Sequence, residues 1–288
     1  MTSQPGGSSA SEVSPAGVLV VTGTGTGIGK TVVTAAIAAL AQAAGQRVAV
    51  VKPAQTGVLP PRGSSPQDSS PGDSSPRDSS PRDSFPRDSF PGAEQAGYPA
   101  DSDVPDVDTV TRLSGVTDTH ELARFPHPLS PEAAARVAGL PPLDVAAAAD
   151  YVAKLAAERD LVLVEGAGGL LVRYDPAGST LADLAVALGA PVLVVAAAGL
   201  GTLNHTALTC EALSARGLAC TGIVVGSWPR EPDLAERENL TDLPLATGVP
   251  LAGLLPAGAG ALAREDFLRV AREGLAPRLG GLRSSPRA

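Results

Sequence analysis

The segment VVTGTGTGIGKTVVTAAIAAL, Val20 to Leu40, limits what this chain can fold into more than any other stretch. An apolar run, Gly17 to Thr22, leads into alternate glycines, Gly23, Gly25, Gly27 and Gly29, and then into a helix-forming run from residue 30 to 44. Glycine lets the main chain turn tightly there and aim successive N–H groups at one point. A helix that begins at once adds the positive end of its dipole to the same point. Lys30 brings an ammonium, and Thr31 brings a hydroxyl suited to a hydrated divalent cation. The context predicts a phosphate cradle. The usual spacing G-x-x-x-x-G-K-[ST] wants glycine at position 24, which is Thr24. The nearest glycine is Gly23, so the loop is read as a longer form, G-x5-G-K-T.

The rest of the chain alternates strand and helix. Apolar runs at residues 47–52, 161–166, 191–197 and 220–226 read as buried strands, and PLAGLLP reads as a shorter one. Helices are expected at DVDTVTRLSG, SPEAAARVAG, PLDVAAAADYVAKLAAERD and STLADLAVALG, the last capped by Ser179 or Thr180. Others are expected at TLNHTALTCEALSARG and from about Ala261 to Glu273. Near-continuous Val/Leu/Ile strands between helices predict an α/β fold, P-loop NTPase-like, with a mostly parallel sheet covered on both faces. Ligands of such sheets sit at the C-terminal strand ends.

Residues 16–282 read as one domain. Residues 1–15 and 283–288 read as tails, and a Ser/Pro/Asp repeat at about 60–100 reads as a disordered insertion, because proline in every copy blocks helix and central strand alike. The formal net charge of -8 argues against non-specific binding to nucleic acid or to an anionic membrane surface. The N-terminus lacks a basic start and an apolar run, and the longest apolar stretch is broken by Gly189 and Pro191, so a soluble cytoplasmic protein is expected. Cys210 and Cys220 imply no disulfide framework and read as small buried hydrophobes. His120, His127 and His205 lack metal-ligand spacing.

The other strand ends carry charge. Lys52 closes one strand ahead of PAQTG, where its ammonium would enter the same crevice as Lys30. Glu165 closes another ahead of GAGGLLV, after four apolar residues, where an unpaired carboxylate is costly. A metal ion or Lys30 would suit it as partner. Gly166, Gly168 and Gly169 let the main chain approach a ligand. Hard oxygen ligands of this kind suit Mg2+.

At this point VTGTGTGIGKT, KPAQTG, SPEAAARVAG, EGAGGLLV and GLGTLNHTALT, in this order along the chain, resemble the dethiobiotin synthetase family, over residues 18 to about 256. The resemblance implies a homodimer using ATP and Mg2+. It implies 7,8-diaminopelargonic acid and CO2 or bicarbonate as substrates, with ring closure to dethiobiotin in biotin biosynthesis. Lys30, Lys52 and Thr26 then look catalytic. Gly25, Thr26, Gly27, Ile28, Gly29, Lys30, Thr31, Glu165, Gly168, Gly226, Ser227 and Pro256 look nucleotide-binding. Thr31, Glu165 and Asp106 look like metal ligands, with Asp103 and Asp108 as rivals to Asp106. Thr56 and Lys52 look substrate-binding, and Gly201, Thr202, Leu203 and Asn204 resemble the turn that takes the substrate carboxylate from the partner subunit. Two departures stand out: Gly25 and Gly27 replace acidic loop residues, and Gly226-Ser227 replaces an Asn that reads adenine, which leaves the choice of nucleotide open. The rival readings are a nucleotide switch of the partitioning-ATPase type and a cobyrinic-acid-amidase-like ligase.

Overall fold

Strands buried on both faces need apolar side chains at every position, and β1 (Val18–Gly23) has all six residues buried. The computed structural model describes residues 17–59 and 104–284. The expected N-terminal tail and repeat insertion, residues 285–288 of the C-terminal tail, and Asp103 lie outside the described residues. The main sheet has seven parallel strands, in the order β4 (Thr119–Glu121), β2 (Val48–Lys52), β6 (Leu161–Glu165), β1, β7 (Val192–Ala196), β8 (Cys220–Trp228) and β9 (Leu251–Pro256). A separate short pair, β3 (Gln55–Thr56) and β5 (Arg124–Phe125), is also parallel.

Side-chain alternation along β1 sorts the core into layers. Leu19 and Val21 pack with α1 (Lys30–Ala43), α2 (Asp106–Ser114) and α8 (Arg264–Gly274), through Ile37, Leu40, Leu113 and Phe267. Val18 and Val20 point the other way, to α4 (Val145–Ala156) and α5 (Leu181–Leu188), through Val152 and Leu184. A third cluster joins Val225 and Leu251 to Leu243 of α7 (Leu234–Thr247). Each fully buried Val, Leu or Phe contributes about 1.5–3 kcal/mol, so these layers fix where the strand ends lie. The remaining helices are α3 (Pro131–Ala138) and α6 (Thr202–Ser214).

The short pair β3 and β5, the edge strand β4 and helix α7 were not expected from sequence. The edge strand β4 is three half-buried residues, too short and polar to read as a strand. Helix α7 contains Pro244 and a nearly even spread of polar residues, which hides its period. Thr180 is the cap of α5, in a reciprocal box with Asp183. Among the described residues no helix is long and apolar enough to cross a membrane.

Candidate functional site

β1 feeds the glycine-rich loop, and the loop feeds α1 with no intervening residue: Gly29 is the cap and Lys30 opens the helix. Gly29 has φ 92 and Gly27 φ 72, a left-handed backbone that a side chain would strain. Gly29 is also hemmed in, since a Cβ there would lie 2.5 Å from the carbonyl oxygen of Gly226. A Cβ on Gly226 would in turn collide with the carbonyl oxygen of Ile28. The sequence presents Gly226 as a missing nucleobase contact. The structure gives it a different reason: the main chain of the loop rests directly on the main chain of β8. Thr26 and Gly27 are exposed, and the Oγ1 of Thr26 would lie 3.7 Å from a Cβ on Gly168, so the turn after β6 faces the loop.

The Lys30 ammonium donates to the carbonyl oxygen of Gly25 at 2.7 Å. Burial, then repulsion from Lys52, lowers its pKa to about 8, against the pull of Glu165 and Asp106. Lys52 closes β2 and Glu165 closes its neighbour β6, and register brings the two side chains together. Lys52 Nζ lies 2.8 Å from Glu165 Oε1 and 2.6 Å from Asp106 Oδ2, and it also donates to the carbonyl of Gly166 at 3.1 Å. Lys52 and Glu165 are 4% and 1% exposed, so water contributes almost nothing to their solvation. Burial pulls the Lys52 ammonium down, but Glu165 and Asp106 together outweigh it and hold it above the ordinary lysine range. Burial likewise opposes the Asp106 carboxylate, and Lys52, Thr31 and Lys30 overcome it and keep it below its usual range. The expected partner of Glu165 was a metal ion or Lys30. Its cation here is Lys52, while Lys30 turns to its own loop.

Thr31 Oγ1 sits 2.9 Å from Asp106 Oδ1 and 2.9 Å from Glu165 Oε1. Asp106 opens α2, and its N–H donates to Gln55 Oε1 at 3.0 Å, which ties the helix start to β3. Its rival Asp108 is exposed. A hydroxyl and two carboxylates are hard oxygen donors, and Mg2+ accepts such a set when phosphate oxygens and water complete its shell. Among the described residues no group of three or more His, Cys, Asp or Glu is arranged to hold a metal alone. The donor set therefore fits a cation that arrives with a polyphosphate.

The structure gathers Lys30, Thr31, Lys52, Asp106 and Glu165 into one cluster, with Thr26 and Gly168 beside the loop. Gly201, Thr202, Leu203 and Asn204 lie at the end of the next strand, β7. Gly201, at φ 93, caps α6, Thr202 is buried and Asn204 is exposed. Thr56 ends β3, half-buried. Ser227 and Pro256 are exposed at the C-terminal ends of β8 and β9. Among the described residues no hydrogen bond or ion pair joins Ser227, Pro256 or the Gly201–Asn204 turn to the charged cluster.

Asn239 was not singled out from sequence, because α7 itself was not. It is 6% exposed, and its amide donates to the carbonyls of Ala198 at 2.8 Å and Gly199 at 3.3 Å. It thereby pins the residues that lead into Gly201. Its signal would have been a lone amide on the inward side of a helix with few apolar positions.

A parallel sheet whose first strand runs through a glycine-rich loop into a helix opening with Lys30-Thr31, with acid and lysine at the adjoining strand ends, defines a P-loop nucleotide-binding protein. A family model described as an AAA domain matches residues 17–82 and 89–260. The chain is 56% identical to an ATP-dependent dethiobiotin synthetase BioD of Frankia casuarinae, over 91% of this chain and 93% of that one. It is 55% identical to that of Parafrankia sp., over 92% and 94%, and 52% identical to that of Streptomyces avermitilis, over 92% and 94%. The chain belongs to the ATP-dependent dethiobiotin synthetase family. This membership does not favour the partitioning-ATPase or cobyrinic-acid-amidase readings.

Proposed function

We propose that this chain is the ligase that forms the C–N bonds of the dethiobiotin ring from 7,8-diaminopelargonic acid and CO2, converting ATP to ADP and phosphate. The observation that carries the reading is the convergence of Lys52, Glu165, Asp106 and Thr31 beside the Lys30 loop, in a chain more than half identical to named synthetases. One amine of the substrate adds CO2 and loses a proton, giving a carbamate. A carbamate oxygen attacks the γ-phosphorus of ATP and ADP leaves. The second amine attacks the carbon of the mixed anhydride and phosphate leaves, which closes the ring. Every stage gathers negative charge, so positioning and charge neutralisation dominate.

In this reading Lys30 exchanges the Gly25 carbonyl for the β- and γ-phosphate oxygens, and the N–H groups of Gly25 to Lys30 cradle the phosphates. Lys52 is buried and kept charged by its two acids, so it stands ready for the carbamate. Thr26 faces the transferring group, and Thr56 the diamine. Thr31, Asp106 and Glu165 would hold Mg2+, which supplies charge neutralisation on the phosphates when bound. The substrate carboxylate is assigned to N–H groups at the start of α6, Gly201 to Asn204 of a partner subunit in a homodimer, where the N–H of Thr202 now donates to the Gly199 carbonyl at 3.2 Å. Leu200, 93% exposed at the tip of that turn, favours an arrangement in which the turn docks against another surface.

The test is ATP-dependent incorporation of labelled bicarbonate into the diamine, repeated with CTP and GTP. Label in dethiobiotin, with one phosphate released per ring, is expected. ATP hydrolysis with no label in product sinks the reading.

A further inference from the structure

His120 lacks metal-ligand spacing, and nothing near it in the sequence assigns it a partner. The fold places it in β4, in register with Val51 of β2, and Val51 belongs to the α4 side of the sheet. Side chains alternate along a strand, so His120 faces α4 while Lys52 and its acids lie on the other face. There it meets Tyr151. Tyr151 Oη lies 2.9 Å from His120 Nδ1, and His120 Nε2 lies 2.8 Å from Asp118 Oδ1. The two rings meet edge to face, with centroids 5.5 Å apart and planes at 69°. Asp118 is held from its other side by Arg159, whose Nε donates to Oδ2 at 2.6 Å. Its main chain is tied to β2, where the Val50 N–H donates to the Asp118 carbonyl at 2.9 Å. Burial opposes the Asp118 carboxylate, and Arg159 and His120 outweigh it and keep it below its usual range.

An ionised carboxylate only accepts, so the proton of the neutral His120 ring sits on Nε2. Nδ1 is then bare, and it accepts from the phenol O–H of Tyr151. Phenol, imidazole and carboxylate stand in the order of a nucleophile, its base and the group that orients the base. Of the chain's other tyrosines, Tyr98 lies outside the described residues and Tyr174 is fully buried, whereas Tyr151 is 39% exposed and open to a small solute. We propose that Tyr151 is a modification site, whose phenol oxygen takes an acyl group from a small activated acyl ester with His120 as general base and Asp118 as orienting group. The site is separate from the nucleotide cluster and does not depend on the ligase reaction. The Tyr151 oxygen attacks the acyl carbon as its proton passes to His120 Nδ1. The tetrahedral adduct collapses, the bond from carbon to the leaving oxygen breaks, and the leaving oxygen takes the proton from His120. One ester and one phenol become a Tyr151 ester and the released alcohol, with no change in oxidation state. The acylated oxygen has no proton to donate, so the edge strand loses this tie to α4.

The full native chain is treated with p-nitrophenyl acetate, nitrophenol release is followed by absorbance, and the acetylated residue is mapped by mass spectrometry after digestion. A burst of nitrophenol is expected, with acetyl on Tyr151 gained faster than on free N-acetyltyrosinamide under the same conditions. Tyr151→Phe removes the burst. His120→Gln, with its fold checked by thermal unfolding, slows acetylation of Tyr151 about 100-fold. In urea-unfolded wild type, where the three side chains separate, Tyr151 reacts no faster than N-acetyltyrosinamide, which tests the geometry without any substitution. The proposal is overturned if Tyr151 of the native chain shows no advantage over N-acetyltyrosinamide, or if that advantage survives in urea. It is equally overturned if Tyr151→Phe gives the wild-type burst, if the acetyl group rests on His120, or if folded His120→Gln leaves the rate at Tyr151 unchanged.

Discussion

β2 and β6 run side by side and carry an ion pair at each end. At their N-terminal ends Arg47 Nη2 meets Asp160 Oδ1 at 2.7 Å; at their C-terminal ends Lys52 Nζ meets Glu165 Oε1 at 2.8 Å. The contact distances barely differ. The surroundings do: the first pair is 66% and 41% exposed, the second 4% and 1%. In water a pair of this kind gains little and is screened by salt. Buried, each member has lost its hydration and depends on the other, so removing one strands the rest. One pair closes the floor of the sheet, and the other concentrates charge beside the glycine-rich loop.

The largest effect should come from Lys52→Met. It leaves the buried Glu165 carboxylate beside the half-buried Asp106 carboxylate without the cation bonded to both, and urea unfolding should lose about 3–5 kcal/mol along with turnover. Wild-type stability in this variant would break the contrast between the two ends. Lys30→Ala should separate chemistry from folding. Its ammonium holds only the Gly25 carbonyl, so thermal stability should stay near wild type while kcat falls about 100–1,000-fold. Asn239→Ala tests whether the rim extends to the α6 turn. The KM for the diamine should rise about tenfold, about 1.4 kcal/mol, with the KM for ATP unchanged; an equal rise in both would place Asn239 in general stability alone. The smallest effect belongs to Arg47→Ala, whose difference from wild type should fade in high salt. Its pH dependence has a definite sign. Asp160 is held down to about 2 from an ordinary 3.8, chiefly by hydrogen bonds from Arg47. The stabilisation is fully present above the ordinary value and disappears as pH falls through about 2. Acid titration of wild type and variant should therefore converge across that window and run parallel at neutral pH.

The loop and the individual strand-end charges were legible in sequence because glycine and an isolated charge after an apolar run each have few physical uses. Their pairing was not. Lys52 and Glu165 are neighbours only because β6 inserts between β1 and β2, and strand order is a property of the whole sheet. The sequence offers a metal ion or Lys30 as the partner of Glu165, and topology supplies Lys52. Asp106 was one of three candidates in a run of alternating acids; the turn of α2 points it at Thr31 and leaves Asp108 outside. Asn239 and β4 escaped because neither sits in a segment with a period to detect. Gly226 was noticed for what it lacks, whereas its neighbour across space, Ile28, explains why nothing larger stands there.

The contact between Gly29 and Gly226 has an evolutionary consequence. Gly29 is confined by the Gly226 carbonyl and by its own positive φ, and Gly226 by the Ile28 carbonyl of the same loop, so neither position can change first without cost. A lineage that gained a larger side chain at 226 would have to shift the glycine-rich loop before, or together with, that replacement. Selection at this contact must therefore move through paired changes, and single-residue libraries at 226 will sample mostly damaged loops.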